Sequence, residues 1–299
     1  MIKYSMAIRY LQNAWQHFSG HARPYEKVAF QHAFQHASIL PVVEALQNMQ
    51  NEDGGFAALF EPDNRSTVSS ALATSIALRE ARRLGMSVTE PVVQFAVNYL
   101  LETLDPETLT WRIIPEEAQQ DPHAPWWDNE DGTLLNRFSG CVLNPRADLL
   151  GSLWAYQELV PEDLLVQLTD AVLQEATTAH EMHDLICLAQ LLGTEELPDV
   201  YRDPLLEVFR ERVLPLIPET RETMQGYVLL PLQIAPAPEH PLAFDLEAAV
   251  QVQLELLLET QKPQGHWEPS WSWGNTEADQ EWRSILTFQN VLALQAWGL

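Results

Sequence analysis

The sequence predicts an all-α protein built from six consecutive helical hairpins. Apolar residues recur at helical spacing in twelve segments, and strand signals are few and short. Pairs of segments repeat with a period of about 50 residues, which is typical of a closed or open helical array. The predicted helices span residues 3–19, 24–36, 41–50, 67–84, 91–104, 145–159, 161–176, 178–192, 200–214, 219–232, 243–260 and 279–297.

Turn-forming residues place the ends of these helices. Proline suits a first helical turn, and glycine suits the position just after a helix. Ser66 or Thr67 is expected to cap the helix at 67–84. The prolines and glycines that mark boundaries in this way are Gly20, Pro24, Pro41, Gly85 and Pro91.

One loop pattern occurs twice between predicted helices. The copies are Gln50-Asn51-Glu52-Asp53-Gly54-Gly55-Phe56 and Gln261-Lys262-Pro263-Gln264-Gly265-His266-Trp267. The glutamine ends a helix and can hydrogen-bond the loop backbone, and glycine permits a turn with positive φ. The aromatic side chain can then cover the helix ends. Repetition of the spacing indicates that this turn is architectural rather than catalytic.

These residues resemble the QW repeat (Q-x-x-D/E-G-x-W and relatives) of the terpenoid cyclase and protein prenyltransferase superfamily, in particular squalene–hopene cyclase. The resemblance implies an α/α toroid, a single domain over residues 1–299 with six outer and six inner helices around a central cavity. An open solenoid and the similar barrel of certain glycan hydrolases and lyases are the alternative folds. The matching residues are Gln50, Asp53, Gly54 and Phe56, then Gln261, Gly265 and Trp267, with Gln264 where an acid is usual and a degraded third copy at Thr103 to Trp111.

Composition narrows the class of protein further. The 299 residues include 17 basic and 42 acidic side chains, for a net charge of −25. Such an acidic chain is a poor partner for nucleic acid or an anionic membrane surface. We expect a cytoplasmic protein without an integral membrane segment, because no apolar run reaches the roughly 18 residues of a membrane span. Cys141 and Cys187 do not make a disulfide framework. The oligomeric state stays open.

Three long loops are expected to mark the functional end of the barrel. The loops at 51–65, 105–143 and 261–279 each join an outer helix to an inner one. They would therefore meet around the N-termini of the inner helices, which favour anionic groups. The basic residues expected there are Arg65, Arg146, His180, His183, Arg221 and Arg283. The alternative is that the arginines pair with neighbouring acids, namely Asp63, Asp148, Glu222 and Glu281.

Tryptophans concentrate in two of these loops. Six of the ten lie within 105–143 and 261–279, and loops usually run over the surface. We expect an aromatic pocket for an apolar ligand between the two loops, or else tryptophans that plug the barrel end. The candidate ligand-binding residues are Trp126, Trp127, Arg146, His183, Trp271, Trp273, Trp282 and Arg283.

An acidic stretch supplies candidate catalytic residues. Asp128, Glu130 and Asp131 follow Trp126-Trp127 in the chain. They resemble the D-x-D-D motif in which class II terpene cyclases carry the proton donor, with Glu130 in place of the usual aspartate. Crowded carboxyl groups beside tryptophans would have a raised pKa, as a general acid requires. The alternative is a solvated acidic turn, for which Asn129 is well suited.

No metal or cofactor is expected. His180, His183, Asp184 and Cys187 fall on one face of a predicted helix and are zinc-ligand types. Four successive side chains of one straight helix cannot close a tetrahedron, so capping and packing are the favoured roles of this face. The chain also lacks a D-D-x-x-D motif, a glycine-rich phosphate loop and a G-x-S-x-G motif.

The sequence therefore supports three hypotheses about function. The first is an enzyme that handles an isoprenoid, similar to a small class II cyclase or a prenyltransferase. The second is a non-catalytic protein of the same fold that binds a prenyl chain, a peptide or a protein. The third is a glycan-active barrel, in which tryptophans stack on sugar rings and paired acids hydrolyse the glycosidic bond.

Overall fold

The computed structural model describes residues 2–129, 143–179 and 181–299. Within these residues there are twelve α-helices and one antiparallel pair of two-residue strands, so the all-α prediction is confirmed. No helix in these ranges is long and apolar enough to cross a membrane. The helices are α1 (Ile2–Gly20), α2 (Pro24–Gln35), α3 (Leu40–Gln47), α4 (Ala71–Arg83), α5 (Pro91–Thr103), α6 (Arg146–Ala155), α7 (Glu162–Ala176), α8 (Met182–Leu192), α9 (Asp199–Val208), α10 (Pro231–Ile234), α11 (Ala243–Thr260) and α12 (Thr276–Ala296), and the strands are β1 (Phe56–Ala57) and β2 (Ser69–Ser70).

Several predicted helix bounds differ from the structure, and two of them differ for identifiable reasons. The segment 219–232 is mostly irregular, because Gly226 adopts a φ of 84° and interrupts the run; only α10 forms at its end. Helix α4 begins at residue 71, since Ser70 rather than Ser66 or Thr67 is its cap. The Ser70 hydroxyl accepts a hydrogen bond from the Ala73 backbone N at 3.0 Å. Pairing of β2 with β1 keeps the residues before this cap extended.

The chain divides into two compact units. Unit 1 contains residues 1–46 and 216–299, and unit 2 contains residues 47–215. In unit 1, α1 packs against α12 and α2, so the first and last helices of the chain share one core. Phe18 stacks on Phe30 with ring centroids 4.5 Å apart and meets the edge of Phe288 at 6.4 Å. A single domain over the whole chain stays a prediction.

Helix α6 is the centre of unit 2. It packs against α4, α7 and α8, and every residue from Arg146 to Trp154 is buried. A helix enclosed on all sides normally carries apolar residues around its whole circumference. Here Arg146, Asp148 and Ser152 are buried together with the apolar residues. These polar side chains are therefore shielded from solvent within the unit.

The two loop copies adopt the same backbone turn. In the first, Gly54 has a φ of 88° and the Asn51 N donates to the Gly55 carbonyl at 2.9 Å. In the second, Gly265 has a φ of 90° and the Lys262 N donates to the His266 carbonyl at 2.9 Å. The positive φ expected of the motif glycines is thus confirmed in both copies.

In each copy the glutamine fastens the turn to another helix. The Gln50 side-chain amide donates to the carbonyls of Gly54 at 2.8 Å and Val92 at 2.9 Å. The Gln261 amide donates to the carbonyls of Gly265 at 3.1 Å and Tyr10 at 3.0 Å. Val92 belongs to α5, the helix that follows the first hairpin, whereas Tyr10 belongs to α1.

The motif glycines touch the same two helices one turn further on. A Cβ atom added to Gly54 would overlap the Phe95 carbonyl, and one added to Gly265 would overlap the Asn13 carbonyl. Phe95 and Asn13 each lie three residues after the helix residue that the glutamine contacts. Helix α1 therefore has the same contacts with the second copy that α5 has with the first.

The segment from Thr103 to Trp111 has a related turn. Leu109 has a φ of 52°, and the Asp105 N donates to the carbonyl of the following Thr110 at 2.9 Å. The Trp111 indole N donates to the Leu100 carbonyl at 2.7 Å. In the second copy the Trp267 indole N donates to the Leu257 carbonyl at 2.9 Å. Residues 103–111 thus share with the second copy a positive-φ residue and an indole hydrogen bond to the preceding helix.

Two glycine substitutions distinguish the energetic cost of a positive φ from the cost of a clash with a neighbouring helix. Gly265 and Gly274 have similar φ values of 90° and 85°, but nothing lies within 4 Å of a Cβ placed on Gly274. Gly274→Ala should lower the free energy of unfolding by about 1–2 kcal/mol, the cost of a left-handed alanine. Gly265→Ala should cost roughly twice that or more, because the added methyl group also meets the Asn13 carbonyl. Urea denaturation measures both; equal losses would contradict the contact described here.

Candidate functional site

The acidic stretch is only partly within the described residues. Glu130 and Asp131 lie outside them, as does His180. Asp128 is half-buried and directly follows the turn Pro125–Trp127. Gln119 holds this turn: its amide donates to the Trp127 carbonyl at 2.6 Å and accepts from the Asn129 N at 2.8 Å. Asp128 is therefore presented from a fixed turn.

The loop tryptophans divide into buried and partly exposed groups. Trp111, Trp127 and Trp267 are 5 to 6% exposed and fill the interior of their own units. Trp126, Trp271 and Trp273 are partly exposed. The inference that loop tryptophans lie on the surface is wrong for the first three, because two of them bond a helix carbonyl through the indole N.

Arg146 is a buried structural cation rather than part of an open site. It is 3% exposed and begins α6, as expected of a helix start. Its guanidinium lies 3.4 Å from the Leu109 carbonyl and 3.5 Å from the Ala171 carbonyl. Burial lowers the pKa of Arg146, and the charges of Glu175 and Asp184 oppose that shift. The alternative pairing of Arg146 with Asp148 is therefore wrong, because Asp148 pairs with Arg79 at 3.3 Å.

The predicted zinc-ligand residues that the structure describes differ in exposure: one is partly exposed, and two are buried. The His183 side chain is 43% exposed and lies 3.4 Å from Glu181. Asp184 and Cys187 are buried between helices, and the Cys187 Sγ lies 3.6 Å from the Asn144 side-chain oxygen. Burial raises the pKa of this thiol well above its usual value. Among the described residues, no group of three or more potential ligands is arranged to hold a metal ion.

Three aromatic side chains of unit 1 form a partly exposed cluster, here called the aromatic group (Tyr227, Trp271 and Trp282). The Trp271 and Trp282 rings meet edge to face with centroids 4.9 Å apart. Tyr227 meets Trp271 in the same manner at 5.6 Å and is 56% exposed. Edge-to-face contacts fix the rings relative to one another. Two predicted ligand-binding residues are thus brought together.

Arg283 follows Trp282 on α12 and is held by a carboxylate. Its Nε donates to Glu268 at 2.7 Å, and the His266 ring lies 3.0 Å from the other oxygen of that carboxylate. Burial would raise the pKa of Glu268, but the hydrogen bonds from Arg283 and His266 lower it overall. The pairing predicted for Arg283 with Glu281 is replaced by this contact. Arg221 likewise pairs with Glu255 and Glu259 rather than Glu222.

A buried histidine continues this network toward α1. The His17 Nε2 lies 3.2 Å from the Ser284 hydroxyl, which itself donates to the Gln280 carbonyl at 3.2 Å. The Ser284 hydroxyl also accepts a hydrogen bond from the Arg23 backbone N at 3.2 Å, and the tautomer of His17 decides which group donates between His17 and Ser284. The His17 ring centroid is 5.3 Å from that of His266. The side chain of Ser284 is completely buried, so it is positioned for structure rather than as a nucleophile.

No protein-family model, curated protein or solved structure matches this chain. The resemblance to the terpenoid cyclase superfamily therefore rests on the motif residues alone and stays a prediction.

Sequence reasoning missed two parts of this site. Tyr227 lies in the segment predicted as helix 219–232, and only Gly226 beside it signalled a break. The His17–His266 contact joins residues 249 positions apart in the chain, and no local sequence pattern predicts such a long-range contact. The i, i+4 spacing of His17 and His21 was a weak signal, since it is equally common on helix surfaces.

His17 should make the stability of the protein depend on pH. Burial lowers the pKa of His17 from 6.5 to about 4; the charges of His266, His21 and Arg283 add to the shift, and Glu268 opposes it. Between these values the unfolded chain binds the proton more readily. The stabilisation from His17 is therefore complete above pH 6.5 and is lost as the pH falls to 4, by on the order of 2–3 kcal/mol.

The comparison that isolates this effect is His17→Gln, whose amide can still donate to Ser284. Denaturant unfolding of both proteins should be measured from pH 4 to 8. The free energy of unfolding should fall less steeply below pH 6.5 in the variant. Parallel curves for the two proteins would rule out His17 as the titrating group.

Proposed function

We propose that this chain is an α/α-toroid protein that binds an isoprenoid or a similar apolar small molecule. The observation that carries the proposal is the aromatic group of unit 1, whose partly exposed rings meet edge to face, with Arg283 next to Trp282 in the sequence. Aromatic faces suit an unsaturated hydrocarbon chain, and a few fixed polar groups suit its head. We further propose a cytoplasmic location, which is consistent with the acidic composition.

The toroid part of the proposal is supported by the repeated turn. The first copy docks on α5, the helix that comes next in the chain. The second copy docks on α1 through the corresponding contacts. In a closed ring, the hairpin that follows the last one is the first one. The contacts of Gln261 and Gly265 with α1 are those that ring closure requires.

The catalytic part of the proposal concerns Asp128, Glu130 and Asp131. A carboxylic acid next to Trp126 and Trp127 could protonate an alkene or epoxide and start a cyclisation, because aromatic faces stabilise the resulting cation. The fixed turn that presents Asp128 supports a defined geometry at the start of this stretch. Incubation with squalene or geranylgeranyl diphosphate, followed by product analysis, tests this step with Glu130→Gln and Asp131→Asn as inactive controls.

Tryptophan fluorescence tests binding at the aromatic group. Farnesyl diphosphate, geranylgeranyl diphosphate or squalene should quench the emission of the wild-type protein in a saturable manner. Trp271→Ala should weaken binding by about tenfold or more, because removing one large aromatic contact from an apolar site costs about 1.5–3 kcal/mol.

Trp297→Ala is the matched control for this experiment. Trp297 is partly exposed and ends α12, about 22 Å along the helix from Trp282 at 1.5 Å per residue. Its removal should leave the affinity unchanged. Equal weakening in both variants, or saturable binding of oligosaccharides but not isoprenoids, would overturn the proposed ligand; the second result would instead favour a glycan-active barrel.

A further inference from the structure

Helix α6 carries a row of buried polar side chains in unit 2. Asp148, Ser152 and Tyr156 follow one another at intervals of four residues and therefore share one helix face. Their exposures are 2%, 0% and 3%. One oxygen of Asp148 and the hydroxyls of Ser152 and Tyr156 have no hydrogen-bond partner among the described residues. Of these atoms, the two hydroxyls can donate to an acceptor that enters from outside, whereas the Asp148 oxygen can only accept.

Two arginines of α4 face this row. The Arg79 Nε lies 3.3 Å from the Asp148 carboxylate, and 31% of its side chain is exposed. The Arg82 guanidinium donates to the Thr194 hydroxyl at 2.9 Å. Arg82 and Tyr156 also influence each other electrostatically. The two guanidinium groups thus bring two positive charges against one carboxylate.

Arg82 has more hydrogen-bond donors than its contacts with the described residues use. A guanidinium has five N–H donors, yet within the described part of the chain the one hydrogen bond from the Arg82 side chain goes to a neutral hydroxyl. Burial lowers the pKa of Arg82, and the negative charges of Asp148 and Glu196 oppose that shift. The Tyr156 hydroxyl adds a further donor, and burial raises its pKa to about 12, which keeps it protonated at neutral pH.

Gly151 provides the room in which these groups meet. A Cβ atom at this position would lie 2.7 Å from the Thr194 hydroxyl and 3.5 Å from an Arg82 terminal nitrogen. Any larger residue would clash with the Thr194 hydroxyl, which accepts the hydrogen bond from Arg82. The glycine, which is not in a left-handed conformation, is therefore explained by close approach of polar groups.

We propose that Arg79, Arg82 and Tyr156 form a binding site for a small oxyanion, a phosphate or a carboxylate, which enters beside the partly exposed Arg79. An oxyanion supplies several acceptors at once and matches the fork of N–H donors on a guanidinium. A cation would be repelled by the two arginines. The site lies wholly in unit 2 and is independent of the isoprenoid proposal, so either can fail alone.

A negative charge near the site, that of Glu196, is expected to lower its affinity for an anion. Glu196 is exposed and acts electrostatically on both Arg82 and Tyr156. Its carboxylate would repel an incoming anion. Glu196→Gln should therefore strengthen binding by about twofold to fivefold at low salt.

Isothermal titration calorimetry on the full chain tests the proposal, with inorganic phosphate, diphosphate and succinate as separate probes to distinguish phosphate from carboxylate ligands. Arg82→Gln should weaken binding by about tenfold or more, since it removes a charge-assisted bidentate contact. Tyr156→Phe should weaken it by about threefold, since it removes one hydroxyl donor.

Arg83→Gln is the matched control, because Arg83 is the next residue on α4 and pairs with Glu80 at 2.7 Å. This variant should bind like the wild type, and circular dichroism should show that all variants remain folded. Absence of binding of all three probes to the wild type would overturn the proposal. Equal weakening by Arg82→Gln and Arg83→Gln would also overturn it, because that result indicates diffuse charge attraction rather than a site.

Discussion

The fold depends on one recurring contact, in which a backbone turn with a positive φ presses against the carbonyls of another helix. In both copies a glutamine amide donates to a carbonyl of the turn and to a carbonyl of that helix. The glycine then meets a carbonyl one helical turn further along. All three groups belong to the backbone or to a glutamine amide, so the contact joins each of these two turns to its helix through polar atoms.

The parts of the fold that follow from local sequence were predictable. Helix α11 has the predicted bounds, and α5 differs by one residue, because proline and the apolar spacing define both clearly. The segment 219–232 was misread because its spacing is helical while Gly226 interrupts it. The positive φ of Leu109 could not be foreseen, since only the surrounding contacts hold a leucine in a conformation that its Cβ disfavours.

The candidate site likewise has features that the sequence predicts and features that it does not. Trp271 and Trp282 were each predicted as ligand-binding residues, but their contact was not predicted; one lies in a loop and the other lies two turns into the helix that follows. The buried charges of unit 2 were not predictable, because Arg146 to Ala155 reads as an ordinary helix start with an arginine and an aspartate. Only tertiary packing reveals that α6 is enclosed on every side and that its charged residues have no route to solvent of their own.

Unit 1 is formed from the two ends of the chain, which has a consequence for biosynthesis. Its core combines α1 and α2 with α12, and the 169 residues of unit 2 lie between those segments in the chain. At about 5–20 residues per second, the ribosome needs on the order of ten seconds or more to make that intervening stretch. During this interval Phe18 and Phe30 have yet to meet Phe288. The nascent chain thus exposes the apolar side chains of α1 and α2 before α12 is made. We expect chaperones to bind this surface until translation of α12 is complete.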